Sequence, residues 1–410
     1  MSIPQYDDRF ASNIPRYYLY TAFKGVGFGL FTAIWVIYLQ QRRGFSLTEA
    51  TIIDVAFWIA ATLGEIPTGI VADTFGRKTS LAVGTALMAV SIFAWAFAPT
   101  MPLIMTAYVG LALGTTFLSG AEDAFLYESL QIGGRTGEYT RLAGRMGAVM
   151  LGATALGNVA SGLFAAIDLI LPFLIAGVCI LLTLGVVLTF KEPHIDEKSG
   201  GQARKPYGEV LRQSLATMRS RPTLRYAMIY LSLVPLAAVI METFFLQPQA
   251  VALSIPIAAI GVIVMAVQIT NIAGSNWSHW IVAHFGEGRV LYTAPLFIIV
   301  SLILLAALQI FPALVFIAVI GFVTSVLRPL VLSRIQNEVP DDIRATVLSI
   351  QSLMFTFILT FGEPILGSIA DHSGLPAAYI GLAGGLGIAV LLLFWTSRQH
   401  FPQTAAILST

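Results

Sequence analysis

Eight ionisable side chains stand inside stretches of sequence that are otherwise apolar: Lys24, Asp54, Glu65, Glu122, Asp123, Glu242, Arg328 and Glu363. A charged group at the centre of a bilayer costs about 2.5–3.5 kcal/mol on insertion scales, so it persists where it meets a partner or a polar cavity. Lys24 can form an ion pair with Glu122 or Asp123. Such a pair can be a structural bridge or part of a substrate site. Glu122 and Asp123 are adjacent, hence about 100° apart on a helix, and do not both point into one pocket. Asp54, Glu242 and Glu363 have no opposite charge within reach in their own stretches. Apolar surroundings favour the neutral acid, and a carboxyl group held there can take up and release a proton. Glu65 and Glu363 stand beside Pro67 and Pro364. They have a second possible use, hydrogen bonding to backbone groups freed at a kink.

Other chemistries lack their residues. There is no phosphate-binding glycine loop, no metal-spaced His/Cys set and no nucleophile constellation. The five histidines are scattered, and the single cysteine, Cys179, permits no internal disulfide. No cofactor, metal or enzymatic reaction is expected.

The elements that must position these residues follow from composition. The 410-residue chain is 57% apolar and 11% charged, against roughly 25% charged in soluble domains. A bilayer-spanning helix needs about 20 mostly apolar residues. Twelve segments qualify: 17–40, 47–71, 79–98, 101–127, 142–166, 170–190, 224–249, 256–283, 290–310, 312–334, 345–370 and 375–397. The expected fold is an all-α membrane protein. An even count places both termini on one side. Of the 23 basic residues, Lys24 and Arg328 lie well inside segments, and Arg42 and Arg43 follow the first. The other nineteen lie in the termini or in and beside the loops after even-numbered segments. The excess of Lys and Arg places the termini and those loops in the cytoplasm. The polar residues 1–16 contain no signal-peptide core and are expected to stay attached. With net charge +1 and the charges dispersed in loops, no nucleic-acid partner is expected.

The chain repeats itself. Residues 46–52 parallel 254–260, and Ile70-Val71-Ala72 with Phe75-Gly76 parallels Ile281-Val282-Ala283 with Phe285-Gly286. Glu138-Tyr139-Thr140-Arg141 parallels Asp341-Asp342-Ile343-Arg344. Arg141 and Arg344 thereby become matched structural or coupling positions. The expectation is two six-helix bundles, residues 1–190 and 224–410, joined by a linker over 191–223. In that linker Leu211, Leu215 and Met218 share one helical face with Arg212 and Arg219 elsewhere, the pattern of an amphipathic helix on the inner membrane surface or of a solvated connector. Transporters built from repeated halves bind substrate near the midplane where the repeats meet.

Between the second and third segments runs Gly69-Ile70-Val71-Ala72-Asp73-Thr74-Phe75-Gly76-Arg77-Lys78. It resembles the loop between helices 2 and 3 of the major facilitator superfamily at Gly69, Asp73, Gly76, Arg77 and Lys78. It departs at Thr74, where the family often has arginine. The second copy of the loop lacks the acid and the Gly-Arg-Lys and reads as degenerate. The resemblance implies that segments 1, 4, 7 and 10 line a central cavity and that segments 3, 6, 9 and 12 face outward. The latter contain no Asp, Glu, Lys or Arg. It also implies a gating loop in which Arg77 approaches an acid at the end of segment 4, for which Glu128 is the choice.

Aromatic residues on segments 1 and 7 include Tyr20, Phe28, Phe31, Trp35 and Tyr38, with Tyr226, Tyr230, Phe244 and Phe245. Beside acids they suit amphipathic, often cationic, organic molecules. Gly144, Gly147, Gly152, Gly157 and Gly162 on segment 5 suit close helix packing. Drug–proton antiporters of the superfamily usually have an arginine in helix 4 and a Gly-Pro in helix 5. Here Tyr108 or its neighbours and Gly157-Asn158 occupy those places, which weakens that subfamily assignment only. The expectation is a monomeric, multi-pass carrier of the inner cell membrane that exports a small amphipathic compound against inward proton flow. Uptake of a nutrient, or a receptor or scaffold without transport, are the alternatives.

Overall fold

The structure is a computed structural model that describes residues 12–193, 207–340 and 343–398. The first residues, most of the linker and Asp341-Asp342 lie outside them. Among the described residues eleven helices are long and apolar enough to cross a bilayer, and a pair bent by 44°, Asn13–Thr32 with Trp35–Arg42, makes a twelfth. We number the spans α1 (that pair), α2 (Leu47–Phe75), α3 (Arg77–Phe97), α4 (Met101–Ile132), α5 (Tyr139–Ala165) and α6 (Leu171–Thr189). The second set is α7 (Pro222–Ala252), α8 (Ile257–Phe285), α9 (Glu287–Ala307), α10 (Val315–Glu338), α11 (Arg344–Ser373) and α12 (Leu375–Arg398). Among the described residues there is no β-strand.

Sequence sets the breaks. Pro102, Pro172 and Pro222 stand in the first turns of α4, α6 and α7, where a missing N–H costs no helical bond. Gly76, Gly286 and Gly374 take φ of 96°, 81° and 84° between consecutive spans, a conformation open to glycine and strained for other residues. The charged stretch is therefore not a loop. Residues 69–75 complete α2, Gly76 alone makes the reversal, and Arg77-Lys78 open α3.

The duplication is visible in the backbone. Spans α2 and α8 both have 29 residues, and α3 and α9 both have 21. Spans α1 and α7 each break and then wind into a five-residue π-turn, Tyr38–Arg42 and Met241–Phe245. π-turns inside α-helices are rare and frequent at functional sites.

Two compact units divide the chain. The first takes residues to Phe45, Ile53–Gly201 and Pro256–Val262; the second takes Ser46–Ile52, Gln202–Ile255 and Ile263 onward. In the first, α1 packs on α5 and α6, and α3 on α4 and α6. A Cβ on Gly29 or Gly157 would run into the backbone of the facing helix, so small residues set the α1–α5 crossing. Gly162 likewise packs on the start of α8, whereas Gly144, Gly147 and Gly152 face open space. Only part of that glycine stripe is a packing face. In the second unit α9 packs on α10 and α12, and α7 on α10 and α11. Within it Asp371 of α11 accepts from the backbone N–H of Leu47 and Thr48 at 3.0 and 2.8 Å, capping the start of α2.

The linker contains a helix, Tyr207–Ser220, packed against α7 and α11. Ser214 is buried and Leu215 half exposed. Ser214 faces the protein, and Leu211 and Met218 are partly buried beside the exposed Leu215.

Candidate functional site

In the first unit, α1 presents Lys24 and Tyr20 to α4. Lys24 forms an ion pair with Glu122, and the Tyr20 hydroxyl donates to the same oxygen, Glu122 Oε1, at 2.5 Å. The Lys24 ammonium also stands 5.2 Å from the Tyr20 ring centre. Of the two adjacent acids, Glu122 takes the lysine and Asp123 is exposed. Tyr20 entered the sequence reading as an aromatic; its hydroxyl makes it a polar member of this cluster.

Farther along the unit, Asp54 of α2 is 3% exposed. Its two oxygens accept from Tyr108 Oη at 3.0 Å and Trp58 Nε1 at 2.8 Å. Tyr108 packs within 4.8–6.1 Å, centre to centre, of Phe57, Trp95, Trp35 and Phe31. The carboxyl group thus ends in an aromatic cluster, held by neutral donors. Tyr108 of α4 is thus the hydroxyl partner of Asp54.

In the second unit, Glu242 lies on the π-turn of α7. Asn271 Nδ2 on α8 donates to both of its oxygens, at 3.1 and 2.9 Å. Gly321 of α10 faces the pair so closely that a Cβ there would meet both Glu242 Oε1 and Asn271 Oδ1. Asn271 and Gly321 were missed because an amide and a glycine in apolar spans have no charge to flag them. Glu363 on α11 is fully buried. Arg328 on α10 is exposed.

At the α2–α3 reversal, Arg77 Nη1 donates to Asp73 at 2.6 Å and Arg77 Nε to Glu128 at 3.2 Å, so the expected acid on α4 is the one engaged. The backbone N–H of Lys78 donates to Glu192, at 2.9 Å to the nearer oxygen. That carboxylate at the end of α6 sits on the first turn of α3, where helix amides favour negative charge. Gly69 faces open space and brings no helix close. The second reversal is not an empty copy: Glu287, the first residue of α9, pairs with Arg334 of α10 at 2.5 Å, restoring the bridge with its signs exchanged.

Three remaining residues stand apart from these clusters. Glu65 is exposed. Beside Pro67 it is the Thr68 hydroxyl, not Glu65, that bonds the backbone, donating to the Gly64 carbonyl at 2.8 Å. Arg141 pairs with Glu138, which also accepts from Arg135. Arg344 reaches the Val339 carbonyl at 3.4 Å.

Duplicated apolar spans with paired and hydrogen-bonded carboxyls between them are the architecture of a multi-pass membrane protein. The chain belongs to the Major Facilitator Superfamily, which it matches over residues 17–358. It is 26% identical over 213 residues to the uncharacterized MFS-type transporter YxaM of Bacillus subtilis (strain 168), covering 48% of this chain. The chain spans about half, 49%, of that curated relative. Its fold is similar to the crystal structure of a point mutant of the nucleoside transporter NupG (TM-score 0.81, 14% identity, 93% of this chain and 98% of that one). It is also similar to a D-xylose-proton symporter (0.69, 14%, 94% and 97%).

Proposed function

We propose that this transporter moves a small amphipathic organic compound in exchange for protons, exporting it across the inner cell membrane. The observation that supports this reading is the contrast among the acids. Glu122 has a lysine and gains from remaining charged. Asp54 and Glu242 have only neutral donors, so a proton or a cationic group on the solute is what neutralises them. An acid that accepts one or the other makes the two compete, and competition at one group is the elementary requirement for exchange. With protons flowing inward, exchange is export. One charge moving through 100 mV contributes about 2.3 kcal/mol, enough for a roughly fifty-fold solute gradient per proton.

The test uses purified protein in liposomes with an imposed pH gradient and a panel of labelled amphipathic cations. Glu242→Gln or Asp54→Asn should abolish uphill movement and spare downhill exchange. Unchanged gradient-driven transport in both variants would make these acids structural. A second reading, proton-coupled uptake, is favoured by the fold's likeness to a D-xylose-proton symporter. Accumulation on the proton-poor side in the same assay would select it.

A further inference from the structure

Asn271 Oδ1 is buried and has no hydrogen-bond partner, although its own Nδ2 serves both oxygens of Glu242. That oxygen and Glu242 Oε1 converge on one point, the place where a Gly321 side chain would begin. Were Glu242 ionised, both oxygens would face that point with no hydrogen to share. A buried acceptor left unpaired costs about 1–3 kcal/mol. Turning the amide over does not relieve this, because Oδ1 then faces the carboxylate from the position Nδ2 has now. In either orientation one proton completes the pattern.

We infer that Glu242 and Asn271 form a closed acid–amide pair, in which the amide N–H donates to one carboxyl oxygen and the protonated other oxygen donates to the amide carbonyl. This deepens the proton-exchange reading and rests on it for its role in transport. Gly321 is the third member, since any side chain there would wedge the pair apart.

The surrounding helices make the pair a docking point. Spans α8 and α10 are fastened along their length. The Thr270 hydroxyl donates to the Ala318 carbonyl at 3.4 Å, Gly274 lies against the Phe322 carbonyl, and the Ser278 hydroxyl donates to the Val326 carbonyl at 2.7 Å. Asn271 and Gly321 are therefore fixed to each other. Glu242 comes from α7, which breaks between Leu233 and Leu236 and winds into the π-turn that holds the acid. Loss of the proton to water leaves a carboxylate against the Asn271 carbonyl and frees this part of α7. Regaining it, by forming the O–H bond on Glu242, docks α7 again. No other charge lies within the pair. The charged or titratable groups on the helices packed against this part of the chain are His279 and His284 on α8, Arg328, Arg334 and Glu338 on α10, Arg344, the buried Glu363, Asp371 and His372 on α11, and Tyr379 and Arg398 on α12. The nearest along its helix, Arg328, is seven residues beyond Gly321, two turns or about 10 Å.

Infrared difference spectra of the full chain in liposomes, recorded across pH, test the pair directly. At neutral pH the wild type minus Glu242→Gln should show the C=O band of a protonated, hydrogen-bonded carboxyl group. Asn271→Leu should move that band to the position of a carboxyl without a donor and shift the pH at which it disappears. Gly321→Ala should move it the same way, which covers the case in which Asn271→Leu fails to fold. Carboxylate bands alone at neutral pH, or a band unmoved in the variants, would overturn the inference. Transport separates it from the parent reading. A band that behaves as described, with proton-driven transport intact in Glu242→Gln, keeps the pair and removes its coupling role. Absence of the band with uncoupled transport does the reverse.

Discussion

One oxygen, Glu122 Oε1, accepts from both Lys24 and Tyr20, and that crowding says what the cluster can tolerate. The lysine and glutamate side chains are 15% and 21% exposed, between a surface pair worth about 0–1 kcal/mol and a buried one whose breaking costs about 3–5. Lys24→Met should therefore destabilise the protein by about 2 kcal/mol, because it strands the carboxylate. Lys24→Met with Glu122→Gln should recover most of the loss, as thermal unfolding of the two variants in detergent would show. Equal losses in the single and double variants would mean that packing by the lysine stem, not charge, is what matters. The pair was legible in sequence because opposite charges in apolar spans have few places to go; Arg77 with Glu128 was legible only through the resemblance of residues 69–78 to the superfamily loop. Which of Glu122 and Asp123 would take the lysine was not legible, since adjacent residues differ only in helical phase. Asp54 was visible, but its donors Trp58 and Tyr108 were not, because aromatic hydroxyl and indole groups look like core until a structure shows where they point.

At the scale of elements, span ends were read to within about five residues, and errors gathered where one residue does the work of a loop. A hydropathy pattern ends α2 at the first charges, yet a helix continues through charges without penalty when they face outward, as Asp73 does. Only the positive φ of Gly76 stops it. The reversal after α8 repeats that geometry at Gly286 while exchanging Arg77–Glu128 for Glu287–Arg334; comparing residue types position by position hides a bridge that survives with its signs inverted. The glycines of α5 give the sharpest test at this scale. Gly157→Ala should lower stability by about 1–3 kcal/mol, since its methyl group meets the Val26 carbonyl of α1, backbone that moves only with the whole helix. Gly147→Ala faces open space and should be neutral or stabilising by up to about 1 kcal/mol. Unfolding of both variants beside the wild type checks the pair of expectations, and a loss at Gly147 equal to that at Gly157 would mean that the whole stripe packs.

At the scale of the molecule, the direction in which the chain threads the bilayer decides from which end of its span each acid meets incoming protons, whereas export and uptake differ in whether solute moves against those protons or with them. The basic residues carry the orientation, and the two exceptions after α1 bear on its strength. Arg43 donates to the Ala96 carbonyl near the end of α3 at 2.7 Å and lies 5.3 Å from the Tyr38 ring centre. It is tied into the fold as a helix-end cation, which leaves Arg42 as the only free basic side chain of that loop among the described residues. Around the even-numbered loops Arg135, Arg141, Arg289 and Arg334 near span ends and Arg219 on the linker helix are exposed, the first, second and fourth in ion pairs at the surface. Reporters fused after residue 200 and at the C-terminus should therefore read cytoplasmic, and reporters near Thr100 and Pro312 external. Arg43→Gln should leave that pattern unchanged while lowering stability, because its charge holds α3 rather than setting topology. An external reading at residue 200 would invert the protein. The Arg77–Glu128 bridge would then face outside, and the same inward proton flow acting on Asp54 and Glu242 would meet them from the opposite end of their spans.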